Sequence, residues 1–353
     1  MGDQTAAPRR VGAASGVGYG ARGARILGTG SYLPGPPVSN DAVVAAIGTQ
    51  RTSSEWIEQH TGIRSRHWAP DDLATSDLAA EAAVRALDAA GLRADELGHL
   101  LLCSTTGDWT SPAAASRVQH LIGARCPAED KQVGCASWVF GLDHAARLCA
   151  TGSGPVLVVG ADVKSRFVRK EDHRLRPVLA DGAGAVVLVQ GDPDDGVGLL
   201  ALTLYSDGSF ASNIYTPAGG SRLPASAATV EQEQHAVLMA VPGGQIKADA
   251  IRIMSTAICR VLEDVGWGLD EVDHFVAHQA NLAILRGLAE ELGVGMERWP
   301  VSIDHTGNTV SATVPLTLDE SLRSGRIVAG DRVVLATAGA GYAGGAAAYV
   351  VPA

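Results

Sequence analysis

Three short segments hold residues whose types can carry out acyl chemistry. The first is Asp130-Lys-Gln-Val-Gly-Cys-Ala-Ser-Trp138, where Cys135 stands just before a helical pattern with apolar residues at Val139, Leu142, Ala146 and Cys149. A thiol at a helix N-terminus meets oriented N–H groups and the positive dipole end, which lower its pKa toward a reactive thiolate. Taken alone, Cys135 also reads as a buried structural cysteine, the commoner fate of a lone cysteine. The second segment is Val276-Ala-His-Gln-Ala-Asn281, where a strand pattern gives way to a helix. Polar residues there suit a site at the C-terminal edge of a sheet, although His278 alone also reads as a satisfied interior histidine. The third is Asp304-His-Thr-Gly-Asn-Thr309, a glycine-containing turn before a helical pattern over Val314–Ser324. Alone, Asn308 there reads equally as a residue that satisfies local backbone groups. His274 and His278 lie four apart, but no glutamate follows the first and no third ligand suggests itself, so no metal is expected.

These segments need elements to hold them. Strand-like apolar runs occur at Ile26–Leu33, His99–Thr105, Pro155–Asp162, Ala183–Gln190, Leu199–Tyr205, Asp273–His278, Arg332–Thr337 and Ala346–Val351. Between them lie helical patterns over Asp77–Ala90, Ala113–Ile122, Trp138–Ala150, Lys247–Val265 and Ala280–Leu292. Strands separated by helices predict an α/β fold with largely parallel sheets. The polar Gly191–Gly196 falls near the middle of the chain and reads as a joint between two halves, 24–190 and 197–353. Ala218–Gln234, without periodicity, reads as a long surface loop.

Composition excludes several classes. At 353 residues the chain exceeds the usual ~100–200 per domain. With 46% hydrophobic and 19% charged residues it reads as a globular protein with a large interior. A net charge of −10 argues against a nucleic-acid surface. No apolar run is long enough to span a membrane. Residues 1–23, basic and glycine-broken, read as a flexible tail and not as a signal peptide. Five scattered cysteines without a C-x-x-C pair point to free thiols and a cytoplasmic location.

Taken together, the three segments resemble the beta-ketoacyl-acyl-carrier-protein synthase III family, from about Ile26 to Val351. Further anchors are Gly28-Thr-Gly-Ser-Tyr-Leu-Pro34, Glu55-Trp-Ile57, Thr61-Gly-Ile-Arg64 and Asp181-Gly-Ala-Gly184. The resemblance implies a layered thiolase fold (αβαβα) of two similar halves, and a homodimer. It implies that Cys135 carries the acyl group while His278 and Asn308 bind the carbonyl of a second thioester. It also implies an oxyanion hole from the N–H groups of Cys135 and the turn at Ala340, and a pantetheine path by Trp56, Ser111, Gly243 and Asn281. The substrates would be acyl thioesters on acyl-carrier protein or coenzyme A, with no cofactor required. Gly339-Ala-Gly-Tyr-Ala-Gly344 matches G-x-G-x-x-G, yet it runs into a terminal strand, which argues against dinucleotide binding. Asp181-Gly-Ala-Gly184 reads as a tight turn before a strand.

Departures from the family bear on substrate. His60, His173 and Ala283 stand where the family carries phosphate-binding arginines, and neither residue type reproduces the bidentate fork. Coenzyme A is therefore expected to be a poor donor. Ala136-Ser-Trp138 replaces the family's Ala-Gly-Phe, and Ser111 at a gate position admits a bulkier acyl group. Lys164–Arg176 carries six basic residues in an acidic chain, so Arg166, Arg169, Lys170 and Arg174 are expected to dock an acidic carrier protein, the alternative being a solvated loop. The favoured activity is decarboxylative condensation in a specialised pathway. The alternative is acyl transfer from Cys135 to another acceptor without decarboxylation. A papain-like hydrolase shares the order Cys, His, Asn, but there tryptophan directly follows the nucleophile, whereas here Ala136 does.

Overall fold

The computed structural model describes residues 22–48 and 51–353. The expected tail at 1–23 lies outside these, save Arg22 and Gly23. Strands β1 (Ala24–Tyr32), β2 (His99–Cys103), β3 (Ala128–Lys131), β4 (Val156–Val163) and β5 (Asp181–Gln190) form one sheet, in the order β1-β5-β4-β2-β3. Strands β6 (Gly198–Ser206), β7 (His274–Ala277), β8 (Arg332–Gly339) and β9 (Ala343–Val350) form a second, in the order β7-β8-β9-β6. The two sheets follow the same path, to which the first adds β3. Both are mixed: β4-β2, β2-β3 and β7-β8 pair parallel, while β1-β5, β5-β4, β8-β9 and β9-β6 pair antiparallel. The expectation of largely parallel sheets is corrected here. No crossover helix separates β4 from β5 or β8 from β9, so the chain returns alongside the strand it has just left.

The helices of eight residues or more are α1 (Asn40–Ile47), α2 (Ser54–Thr61), α3 (Thr75–Ala90), α4 (Ala115–Ile122), α5 (Ser137–Ala150), α6 (Gly243–Val265), α7 (Leu282–Leu292) and α8 (Thr313–Arg323); short ones span Ala227–Glu231, within the stretch expected to be a plain loop, and Ile303–Thr306. Helices α5 and α8 lie between the sheets; α3 and α4 cover the outer face of the first, α6 and α7 that of the second. This is the αβαβα layering of the thiolase fold.

The layering follows from strands that are apolar on both faces. In β2, Leu101 and Cys103 join the central cluster with Trp138 and Leu142 of α5, while Leu100 and Leu102 join the outer cluster with Leu78 and Ala82 of α3. β8 repeats the two-residue alternation: Val333 and Leu335 face the centre, Val334 and Ala336 the outer helices. Each fully buried Leu or Val contributes about 1.5–3 kcal/mol.

The segment 181–184 is not a turn. These residues begin β5, paired with β1 and β4. The glycines serve packing: a Cβ on Gly184 would stand 2.6 Å from the Leu316 backbone nitrogen, so only glycine lets α8 lie this close. Gly191–Gly196 links β5 to β6. Among the described residues no helix is long and apolar enough to cross a membrane.

Candidate active site

Cys135 occupies the tight bend that leads into α5. Gly134 before it has φ 58°, and a side chain there would meet the Ala340 backbone at 2.9 Å. From the opposite side, a Cβ on Gly339 would stand 2.7 Å from the Cys135 nitrogen. Glycine at both positions presses the β8–β9 turn against the cysteine backbone. Thr337 Oγ1 of β8 donates to the Cys135 carbonyl at 3.2 Å. The half-buried cysteine packs against Val168, Leu179 and Val310, with Leu175 and Val237 completing the apolar wall. Val237 arrives from the long loop after β6, anchored by its N–H to the Phe167 carbonyl at 2.8 Å.

Burial pushes the Cys135 thiol up to about 12, and the Asp162 carboxylate pushes it the same way. Lys164 and the N–H groups of Cys135 and Ala340 oppose this. The sequence reading expected the helix terminus to lower this pKa, and the structure reverses the direction. Loss of water around the sulfur outweighs the donors facing it, so the resting residue is a thiol.

His278 follows β7 directly, and its N–H donates to the Ala336 carbonyl of β8 at 2.8 Å. Its ring is buried, which lowers its pKa to about 4 and keeps the imidazole neutral. Nδ1 lies 2.6 Å from Thr313 Oγ1 at the start of α8. The Thr313 hydroxyl proton has two acceptors within reach, this nitrogen and the Val310 carbonyl at 3.3 Å. With the hydroxyl donating over the shorter contact, Nδ1 is the acceptor and the hydrogen sits on Nε2; donation to the Val310 carbonyl would reverse the tautomer. The neighbouring Gln279 is structural: its amide oxygen accepts the Ser302 and Ile303 N–H groups at 3.1 and 3.0 Å, fixing the entry to the Asn308 turn.

Asn308 is clamped by backbone on both sides, its N–H donating to Val178 and its carbonyl accepting from Ala180, each at 2.9 Å. Its side-chain oxygen accepts the Val310 N–H at 2.9 Å and thereby supports the unusual φ of 56° at Val310. With the oxygen engaged, the amide NH2 is the donor left to face a ligand. Asn308 thus holds the turn at Val310, and Thr313, three residues on, bonds His278. Adjacent β8 residues Ala336 and Thr337 then tie His278 to Cys135.

Below these residues lies Asp162, fully buried at the end of β4. Its carboxylate accepts from Thr105 N and Oγ1 at 2.8 and 2.7 Å, Thr106 Oγ1 at 3.0 Å, and Ser311 N at 3.1 Å and Oγ. It thus fastens the turn between Asn308 and Thr313 to the first sheet. Sequence reasoning missed Asp162, Thr313 and Val237; of these only Asp162, a carboxylate ending an apolar run, carried a signal.

The remaining candidates are spread out. Trp56 on α2 is exposed, and the His60 ring stacks on it with centroids 4.4 Å apart. Ser111 is exposed on the loop after β2, and Gly243 opens α6. Asn281 caps α7, accepting the Ile284 N–H at 3.0 Å. In the basic stretch, Arg166 donates to the Pro70 carbonyl at 2.5 Å, Arg169 faces Glu233 at 3.9 Å, Arg174 faces Asp172 at 3.9 Å, and Lys170 is exposed. Arg176 turns inward over the Trp68 ring at 4.0 Å and is lost to any surface patch. Among the described residues no group of three His, Cys, Asp or Glu side chains is arranged for a metal ion.

Comparison with known proteins places the whole chain in a family. Residues 130–208 match the model for 3-oxoacyl-[acyl-carrier-protein] synthase III, and residues 262–351 match that for its C-terminal part. A beta-ketoacyl-[acyl-carrier-protein] synthase III of Caldanaerobacter subterraneus is 38% identical over 320 residues, 90% of this chain and 95% of the relative. The crystal structure of 3-oxoacyl-(acyl carrier protein) synthase III from Pseudomonas aeruginosa superposes with a TM-score of 0.85 at 37% identity, covering 94% of this chain and 99% of that one. The priming beta-ketosynthase of the R1128 polyketide pathway gives 0.84 at 30% identity, covering 94% and 97%. With its fold and sequence matched over nearly its whole length, the chain belongs to the 3-oxoacyl-[acyl-carrier-protein] synthase III family of condensing enzymes.

Proposed function

We propose that this enzyme loads an acyl group onto Cys135 and condenses it with a malonyl-type thioester on an acyl-carrier protein. In the first half-reaction the Cys135 sulfur attacks the thioester carbonyl. The new thioester forms as the donor's C–S bond breaks, and the thiol proton leaves with the departing thiol. The N–H groups of Cys135 and Ala340, both facing the sulfur, are placed to receive the oxyanion. In the second, the malonyl group loses CO2 and becomes an enolate, whose oxygen needs donors fixed beforehand. His278 Nε2–H and the Asn308 amide supply them. The enolate carbon attacks the acyl carbonyl, the sulfur departs and regains a proton from water, and a β-ketoacyl thioester is released.

The observation that carries this reading is the matched orientation of two donors. His278 has Nδ1 held by Thr313, and Asn308 has its oxygen held by Val310, so each keeps its N–H free. The test uses malonyl carrier protein labelled in its free carboxyl group. Release of labelled CO2 with formation of the β-ketoacyl product supports the reading. Transfer of the Cys135 acyl group to another acceptor without CO2 would instead establish a non-decarboxylating acyltransferase.

The same reading divides the chain into a unit bearing the cysteine, 24–190, and one bearing His278 and Asn308, 197–353. Trp56, Ser111, Gly243 and Asn281 would border the pantetheine path. Arg166, Arg169, Lys170 and Arg174 would receive the acidic carrier protein. The His60 ring already covers one face of Trp56, which supports delivery by carrier protein over coenzyme A. A homodimer is supported by β3, a sheet edge with exposed Trp109 and Leu121 nearby. We place the enzyme in the cytoplasm, consistent with its free thiols.

A further inference from the structure

The chain has only four lysines, at 131, 164, 170 and 247. Lys170 and Lys247 are exposed, whereas Lys164 is half-buried at the end of β4, where the strand meets the cysteine pocket. Its Nζ lies 3.3 Å from Thr105 Oγ1 and 5.7 Å from the centre of the Phe167 ring. The neighbouring carboxylate, Asp162, does not bond it directly: its oxygens are taken by Thr105, Thr106 and Ser311. A half-buried ammonium held by one neutral hydroxyl completes its hydrogen bonds with water, and an arriving anion can take the place of that water.

Its position says which anion. Lys164 opens the short helical turn Lys164–Phe167, and the next residue, Val168, belongs to the apolar wall around Cys135. The charge is near enough to act on the sulfur itself, where it opposes the effect of burial. The surroundings of Cys135 are therefore apolar along Val168, Leu179 and Val310, with the Lys164 charge near the end of β4.

We propose that Lys164 binds a carboxylate carried on the acyl group of a thioester substrate at Cys135. This rests on the reading of Cys135 as the acyl-carrying residue. Two sources share the chemistry: the free carboxylate of the malonyl-type extender before it departs, or a starter acyl group that is itself a half-acid. They differ in consequence. Pairing with the extender stabilises a charge that must be lost, so it lowers KM without raising kcat. Pairing with a half-acid starter leaves the charge in place and selects which group is loaded.

The experiment compares wild type, Lys164→Gln and Lys164→Arg as the full chain. In one arm, intact mass follows loading of Cys135 from succinyl and butyryl thioesters, which match in length and differ in the carboxylate. In the other, butyryl-loaded enzyme is titrated with malonyl carrier protein. Removing the lysine also withdraws its field from the sulfur and slows both loadings, so the succinyl-to-butyryl ratio is the informative quantity. Lys164→Gln should lower that ratio by about 10- to 100-fold if the starter is bound, or raise the malonyl KM by as much if the extender is. Lys164→Arg should restore most of either. An unchanged ratio together with an unchanged malonyl KM would overturn the proposal and leave Lys164 as a counter-charge to Asp162. If wild type loads no thioester at all, the reading of Cys135 fails and the proposal falls with it.

Discussion

Replacing Thr313 by valine removes one hydroxyl from the site and almost nothing else, because the two side chains share their branching. In wild type that hydroxyl bonds His278 Nδ1 at 2.6 Å in a buried setting. Without it, Nδ1 is a buried acceptor with no donor, which costs about 1–3 kcal/mol. The two neutral tautomers then approach equal energy, and the fraction holding hydrogen on Nε2 falls. Complete loss of an oxyanion donor costs about 100- to 1,000-fold in rate; a drifting tautomer keeps part of that, so Thr313→Val should slow condensation by about tenfold. The assay separates the half-reactions: mass spectrometry follows loading of Cys135, and a quenched single turnover with malonyl carrier protein follows condensation. Thr313→Ser, which keeps the hydroxyl, should stay near wild type. The reasoning is refuted if Thr313→Val condenses at the wild-type rate, or if loading and condensation slow equally.

Other consequences follow from the same geometry. Burial holds the folded pKa of His278 near 4, below its ordinary 6.5, so the unfolded chain binds the extra proton. Its contribution is full above pH 6.5 and is lost as pH falls toward 4, roughly 3 kcal/mol in all. Urea unfolding across that range should show a shallower pH dependence in His278→Gln, and equal slopes would contradict this. Arg169→Glu with Lys170→Glu should raise KM for carrier-protein substrates severalfold at low salt and converge with wild type at high salt; no effect at any salt would place docking elsewhere. Gly184→Ala should cost about 1–3 kcal/mol or more, read as a lower urea midpoint, because its Cβ meets the α8 backbone.

The sequence revealed most where one residue pattern reports one environment. Strands such as β2 and β8 are apolar on both faces because helices cover both, and so their runs were continuous. β3 escaped notice because Ala-Glu-Asp-Lys is an edge strand with no apolar pattern. The 181–184 segment misled because its glycines serve the approach of α8 and not a turn. Cys135, His278 and Asn308 stood out only together, through the family resemblance of their three segments, because each alone also reads as a structural residue. The wall around the cysteine was not, because Val168, Leu179, Val237 and Val310 come from segments far apart in the chain. The direction of the Cys135 pKa shift was lost for the same reason, as burial by distant segments leaves no local mark. Thr313 looked like any first-turn threonine until its hydroxyl was seen against His278.

The central claim is that Cys135 carries the acyl group. The most direct measurement is the intact mass of wild type and Cys135→Ala after incubation with acyl thioesters on coenzyme A and on carrier protein. The account predicts a gain of one acyl group in wild type, absent from the variant, and reversed when malonyl carrier protein is added. An equal gain in Cys135→Ala, or no gain from any thioester in wild type, would contradict it.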